Sequence, residues 1–123
     1  MKKEGLILIM EPERIIGLEL QVLLEGNGYN VSQCNTPNLA DCLSKAQTVN
    51  IIIMNIDKAT EDDFTYLKNN FPLTQICMIG ISSSKQIKKE REGVKFTQTF
   101  LKPFESKSIL SFINNLYAVS EYN

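Results

Sequence analysis

The sequence contains no histidine and no tryptophan, and its three cysteines, Cys34, Cys42 and Cys77, are odd in number and widely spaced. Without histidine the commonest general base and the usual nucleophilic triads are missing, and the chain cannot itself serve as a histidine phosphodonor. The cysteine spacing argues against a disulfide framework. With no histidine and no paired cysteines, a zinc site is short of ligands. Charge of one sign is lacking too: 13 basic against 14 acidic side chains create no field that draws the chain to nucleic acid or membrane. No apolar run exceeds about five residues, against the roughly 20 needed to span a bilayer. Met1-Lys2-Lys3-Glu4 precedes a short apolar strand and no cleavage site, so no signal peptide is expected, and a soluble cytoplasmic protein is.

What is present is ordinary globular material. Apolar residues make up 43% of the 123 positions, enough for a core and too many for a disordered chain. The length fits one domain over residues 1–123, with no appended effector module expected. Two periods alternate along it. Leu6 to Met10, Ile51 to Met54 and Ile76 to Ile79 are continuous apolar runs, as in parallel strands buried on both faces. Ile16, Leu20, Leu23 and Leu24 instead share one face of a helix over about Arg14 to Asn27, with Gly28 placed to stop it. Tyr29 to Ser32 predicts a second strand. Pro37, with Thr36 as N-cap, opens a helix carrying Leu39, Cys42, Leu43 and Ala46.

Thr60 and Asp63 form a loose capping box before Phe64, Leu67 and Phe71, and Pro72 ends that helix. Ser82-Ser83-Ser84 are placed to cap a short polar helix through Glu92, which has little apolar face. Val94 to Leu101 supplies a fifth strand region, and Ser106 begins a last helix on Ile109, Phe112, Ile113 and Leu116. Five β-α repeats imply an α/β fold with a parallel sheet covered on both faces. Ligands in such sheets bind beyond the carboxyl ends of the strands. Those ends are Glu11 to Glu13, Asn55 to Asp57, Gly80 to Ser82, and Lys102-Pro103.

The same places carry a family resemblance. LILIMEPERIIGLELQVLLEGNGYNV is similar to the first strand and helix of the receiver domains of response regulators. NIIIMNIDKATEDDFTYL resembles their third strand and following loop, and LKPF their turn after strand five. The resemblance covers nearly the whole chain and rests on several weak fragments in the right order. It implies a flavodoxin-like (βα)5 three-layer sandwich whose five parallel strands are ordered 2-1-3-4-5.

In that family an ionised aspartate attacks a phosphoryl group. An acidic pair holds the Mg²⁺ that neutralises both reactants. A lysine and a Ser/Thr hydroxyl grip the phosphoryl oxygens and pass the signal on. Carried over by resemblance, Asn55 stands at the phospho-acceptor position, and its amide is no nucleophile. Glu11 and Pro12 stand at the metal-binding pair, where Glu11 retains a carboxylate and Pro12 has none. Gly80 takes the place of the hydroxyl switch and Thr99 that of the switching aromatic. Lys102 and Pro103 match the family's lysine and its turn, which implies a cis peptide bond between them.

These losses favour a pseudo-receiver: a two-component signalling module, not an enzyme, that binds a partner without being phosphorylated. No cofactor is expected, and Mg²⁺ binding, resting on Glu11 at most, is expected to be weak or absent. The implied partner is a protein such as a histidine kinase, met through the face of the fourth helix, fifth strand and fifth helix. A homodimer stays open, while nucleic acid and membrane are not expected. In a competing assignment the chemistry is displaced to Asp57, with Glu11 and Glu13 as the remaining acids. A basic run at Lys85, Lys88, Lys89 and Arg91 reads as a solvated face, because Glu90 and Glu92 interrupt it and no aromatic is interleaved.

Overall fold

A computed structural model describes residues 5–35, 38–45, 48–70, 76–86 and 89–121, and in it strand and helix alternate as far as Ser82. The order is β1 (Leu6–Met10), α1 (Arg14–Gly26), β2 (Val31–Gln33), α2 (Leu39–Lys45), β3 (Val49–Asn55), α3 (Glu61–Asn70) and β4 (Cys77–Ser82). Then come β5 (Glu90–Arg91), β6 (Val94–Lys95), β7 (Gln98–Leu101) and α4 (Ser106–Glu121).

The continuous apolar runs form the interior of one parallel sheet, ordered β2-β1-β3-β4-β7. Counting only its five strands, this is the expected 2-1-3-4-5 order. Successive side chains on a strand point to opposite faces, so an unbroken apolar run supplies two cores at once. Leu8, Met10, Ile52, Met54 and Met78 pack on one face with Leu39, Leu43, Phe64 and Leu67 from α2 and α3. Ile7, Ile9, Ile51, Ile53, Ile79 and Ile81 pack on the other with Leu20 and Leu24 of α1 and Ile109 and Ile113 of α4. Three layers result, and the carboxyl ends of β1, β3, β4 and β7 converge along one rim.

Local signals explain the helix ends. The Thr60 hydroxyl accepts from the Asp63 N–H at 3.3 Å while the Asp63 carboxylate accepts from the Thr60 N–H at 3.0 Å, a reciprocal capping box at the start of α3. The other Asp63 oxygen accepts from the Leu39 N–H at 3.2 Å, so one buried carboxylate serves the starts of two helices. Gly28, at φ +92°, takes the left-handed turn after α1, and Tyr29 N–H returns to Leu24 O at 3.1 Å. The expected roles of Thr36, Pro37, Ala46, Phe71 and Pro72 fall outside the described residues.

Two expectations are corrected. The polar helix after Ser82 is not formed by the described residues. Instead β5 and β6 make an antiparallel hairpin whose turn, Glu92 at φ +51° and Gly93 at φ +83°, takes the two left-handed positions of a type I′ connection. A helix over Lys85 to Glu92 has almost nothing apolar to bury. The hairpin lets Val94 and Phe96 fill that flank of the core, and it carries Arg91 to the Ile56 carbonyl at 2.7 Å, above the Phe64 ring. The second correction concerns sulfur. Cys34 and Cys42 are joined by a disulfide, because the end of β2 and the second turn of α2 come within 5.6 Å, Cα to Cα, across eight residues of sequence. Cys77 is the free cysteine. Among the described residues no helix is long and apolar enough to cross a membrane.

Candidate functional site

At the rim, β1 and β3 run side by side with Met10 opposite Met54, so the next residue on each strand, Glu11 and Asn55, emerges at the same height. Both are buried. The Asn55 amide nitrogen donates to both Glu11 carboxylate oxygens, each at 3.1 Å. Its carbonyl oxygen accepts the backbone N–H groups of Asp57 at 3.0 Å and Lys58 at 3.3 Å. Chemistry fixes this orientation: a carboxylate offers only acceptors and a backbone N–H only a donor.

Lys102, just past β7, completes the cluster. Its ammonium lies 3.1 Å from Glu11 and 2.8 Å from Glu13. The Glu11 side chain is fully shielded and that of Lys102 is 10% exposed, whereas Glu13 is 63% exposed. The Glu11 contact is therefore the strong one, and the Glu13 contact is screened by water. Burial lowers the lysine's proton affinity, but hydrogen bonds to Glu13 and Glu11 and their negative charge outweigh it, so its pKa is raised above the ordinary value. Glu13 also donates its backbone N–H to Glu11 at 3.0 Å. The Lys102–Pro103 peptide bond is cis, and the turn leads to Phe104, whose ring lies 6.4 Å from that of Phe100.

Asp57 stands apart from this cluster, at the mouth. One oxygen accepts from the Ser82 hydroxyl at 2.6 Å and the other from the Ser83 N–H at 2.8 Å. Partial burial raises its pKa, but those two hydrogen bonds and the charges of Lys102 and Arg91 bring the net shift below the ordinary carboxylate value. Asp57 is thus an ionised, exposed carboxylate.

Gly80 lies within β4, opposite Met54 and Thr99, two residues before the strand ends. A β-carbon there would collide with the end of the Ile56 side chain and stand 3.1 Å from the Phe96 ring, so a larger residue would need Ile56 to move aside. The hydroxyl at the end of the strand belongs to Ser82, which is buried and whose carbonyl accepts from the Lys102 N–H at 2.8 Å. The sequence reading names Ser82 with the strand end and as a helix cap but misses its hydroxyl role, because the resemblance sets that position two residues earlier, at Gly80. The Ser82-Ser83-Ser84 triplet was the available signal. Arg91 was missed as well, having been read as part of a solvated helix.

A divalent cation of the magnesium type needs several hard oxygens free to coordinate. Glu11 is committed to an amide and an ammonium, Pro12 offers no side-chain oxygen, and the Asn55 oxygen holds two N–H groups. These three positions leave no free hard oxygen for such an ion, and the exposed carboxylates of Glu13 and Asp57 stand outside them. Among the described residues no group of three or more histidine, cysteine, aspartate or glutamate side chains converges on one point.

No family model matches the chain, and no curated protein matches it either. Solved structures do. A response regulator from Thermotoga maritima superposes with a TM-score of 0.73 at 14% identity, over 94% of this chain and 99% of that one. The inactive form of the regulatory domain of a repressor of iron transport regulator gives 0.74 at 18% identity, over 94% and 96%. An orphan response regulator of H. pylori gives 0.74 at 14% identity, over 94% and 98%. The chain has the receiver fold. At these identities the likeness extends to the CheY-like architecture alone. In that fold the rim described above, with Asn55 at the end of the third strand, is where strand ends and loops meet to form the site.

Proposed function

We propose that this chain is a receiver domain of two-component signal transduction that acts as a protein-binding module and does not accept a phosphoryl group: a pseudo-receiver. The observation that carries this reading is the bidentate bond from the Asn55 amide to Glu11, with Lys102 on the same carboxylate. Where a phosphoryl acceptor needs an unencumbered carboxylate and a metal, this rim has an amide and a neutralised acid. Glu11, Asn55 and Lys102 each have partners within this cluster, so it is stable without a ligand. Mg²⁺ binding is accordingly weak or absent.

The partner is a protein, with a histidine kinase or another component of the same signalling chain as the first class to test. Among the described residues the fourth helix of the face expected from the resemblance is not formed, which leaves β7 and α4 on that side, with Leu101 exposed. Apolar exposure is greater on α1, where Ile15 at 81%, Leu18 at 44% and Val22 at 71% lie at i, i+3 and i+7 on one face. A cytoplasmic site of action goes with this reading.

A second reading has one observation in its favour. Asp57 is ionised, exposed, bonded to the Ser82 hydroxyl and stabilised by the charge of Lys102. It would place the acceptor two residues beyond the expected position. Titration with Mg²⁺, followed by the backbone and side-chain amide resonances of Glu11, Asn55 and Asp57, separates the two. The pseudo-receiver predicts no saturable shift at millimolar metal. Saturable shifts confined to these residues would instead favour a working site at Asp57.

A further inference from the structure

The disulfide between Cys34 and Cys42 lies beside the candidate site. Cys34 follows the last residue of β2, and its N–H donates to Ile9 O at 2.7 Å, two residues before Glu11 on the neighbouring strand. It lines a cleft of about 460 Å³ together with Glu11 and Pro12. It also lines a second of about 290 Å³ together with Asn55, Lys58 and Thr60. Cys42, the other half of the bridge, sits on α2, and both cysteines are partly buried against the core cluster of Leu39 and Leu43. Cys34 is thus a shared wall of both clefts, and through Cys42 the bridge tethers α2 to the end of β2.

We propose that Cys34–Cys42 is a reversible thiol–disulfide site, taking a low-molecular-weight thiol as its reductant, and that its redox state sets the shape of the clefts beside Asn55. Of the two cysteines, Cys34 is the one that lines both clefts, so the incoming thiolate attacks there. The bond between the two cysteine sulfurs breaks, Cys34 forms a mixed disulfide with the thiol, and Cys42 leaves as a thiolate and takes up a proton. A second thiolate attacks the external sulfur of the mixed disulfide and releases Cys34 as a thiolate, which is protonated in turn. Two electrons enter the protein, and two thiol molecules leave as one disulfide. With the tether cut, α2 is held by Leu39, Leu43 and the Leu39 N–H bond to Asp63. The cleft wall formed by Cys34 and Asn35 is then free to move against Pro12 and Asn55. The inference is independent of whether any residue accepts a phosphoryl group.

The full chain is equilibrated in millimolar reduced or oxidised glutathione. Thiols are then counted by alkylation and intact mass, and amide spectra are recorded in both states. The expected result is a gain of two alkylatable thiols on reduction, reversed by oxidised glutathione. The Asn55 side-chain amide and the Asn35 and Lys58 amides shift between states. Hydrogen exchange in Leu39 to Leu43 accelerates about tenfold or more on reduction, while that in α4 changes by less than about twofold. Cys42→Ser is expected to give the reduced spectrum in both buffers and Cys77→Ser to behave as the parent. Because the parent itself is reduced chemically, a misfolded variant leaves the test intact. A bridge that millimolar glutathione fails to open overturns the proposal. So do three free thiols under oxidising conditions, or reduction that leaves the Asn55 amide unmoved.

Discussion

Asn55 has a different meaning once its partners are known. As a residue type it is one neutral substitution for an acid. In place it is the donor that satisfies a fully shielded Glu11, and it holds two backbone N–H groups with its oxygen. Asn55→Asp is therefore expected to set two carboxylates against each other, with Lys102 left to neutralise both. Stability at neutral pH should fall by about 1–3 kcal/mol, the cost of an unsatisfied buried polar group. Urea denaturation at pH 7 measures the loss. The same variant is expected not to accept phosphate efficiently, since Pro12 leaves the metal a ligand short. Lys102→Met leaves Glu11 buried without its cation and should cost about 3 kcal/mol in the same assay.

At the scale of elements, Gly80→Thr tests whether a hydroxyl can be returned to that place in β4. Its side chain would be driven into Ile56 and Phe96, so a loss of about 1–3 kcal/mol is expected from overpacking, read as a lowered urea midpoint. By contrast Val22→Lys on the exposed face of α1 should change stability by less than about 0.5 kcal/mol. The same contrast shows what was legible in advance. β1, β3 and β4 are continuous apolar runs and could be read directly, and so could α1 and the last helix from their spacing. The segment after Ser82 could not, because its fold depends on Val94 and Phe96 finding a gap in the core, a tertiary fact absent from local periodicity. The disulfide was missed for the same reason: eight residues of separation do not reveal that β2 and α2 turn back on each other. At the site, Glu11, Asn55 and Lys102 could be placed together by counting from strand ends. Ser82 could be placed at the same rim, but its hydroxyl role could not be assigned, since the resemblance sets that position at Gly80.

For the whole molecule, the sheet brings distant charges to one rim, and stability should depend on pH at both extremes. Asp57 has a lowered pKa in the folded chain, so its contribution is complete above about pH 4 and is lost as pH falls through the lower folded value. Lys102 has a raised pKa, so its contribution is complete below about pH 10 and is lost as pH rises through the higher folded value. Asp57→Asn should flatten the acid limb of a melting-temperature profile and Lys102→Met the alkaline one. Neither change should alter the fold, because the sheet is held by its two apolar faces.

The central claim is that the receiver fold is retained here for binding, with its phosphotransfer chemistry gone. The intact mass of the full chain after incubation with acetyl phosphate and Mg²⁺ tests it most directly. The account predicts an unchanged mass. A stoichiometric gain of one phosphoryl group that disappears in Asp57→Asn would contradict it.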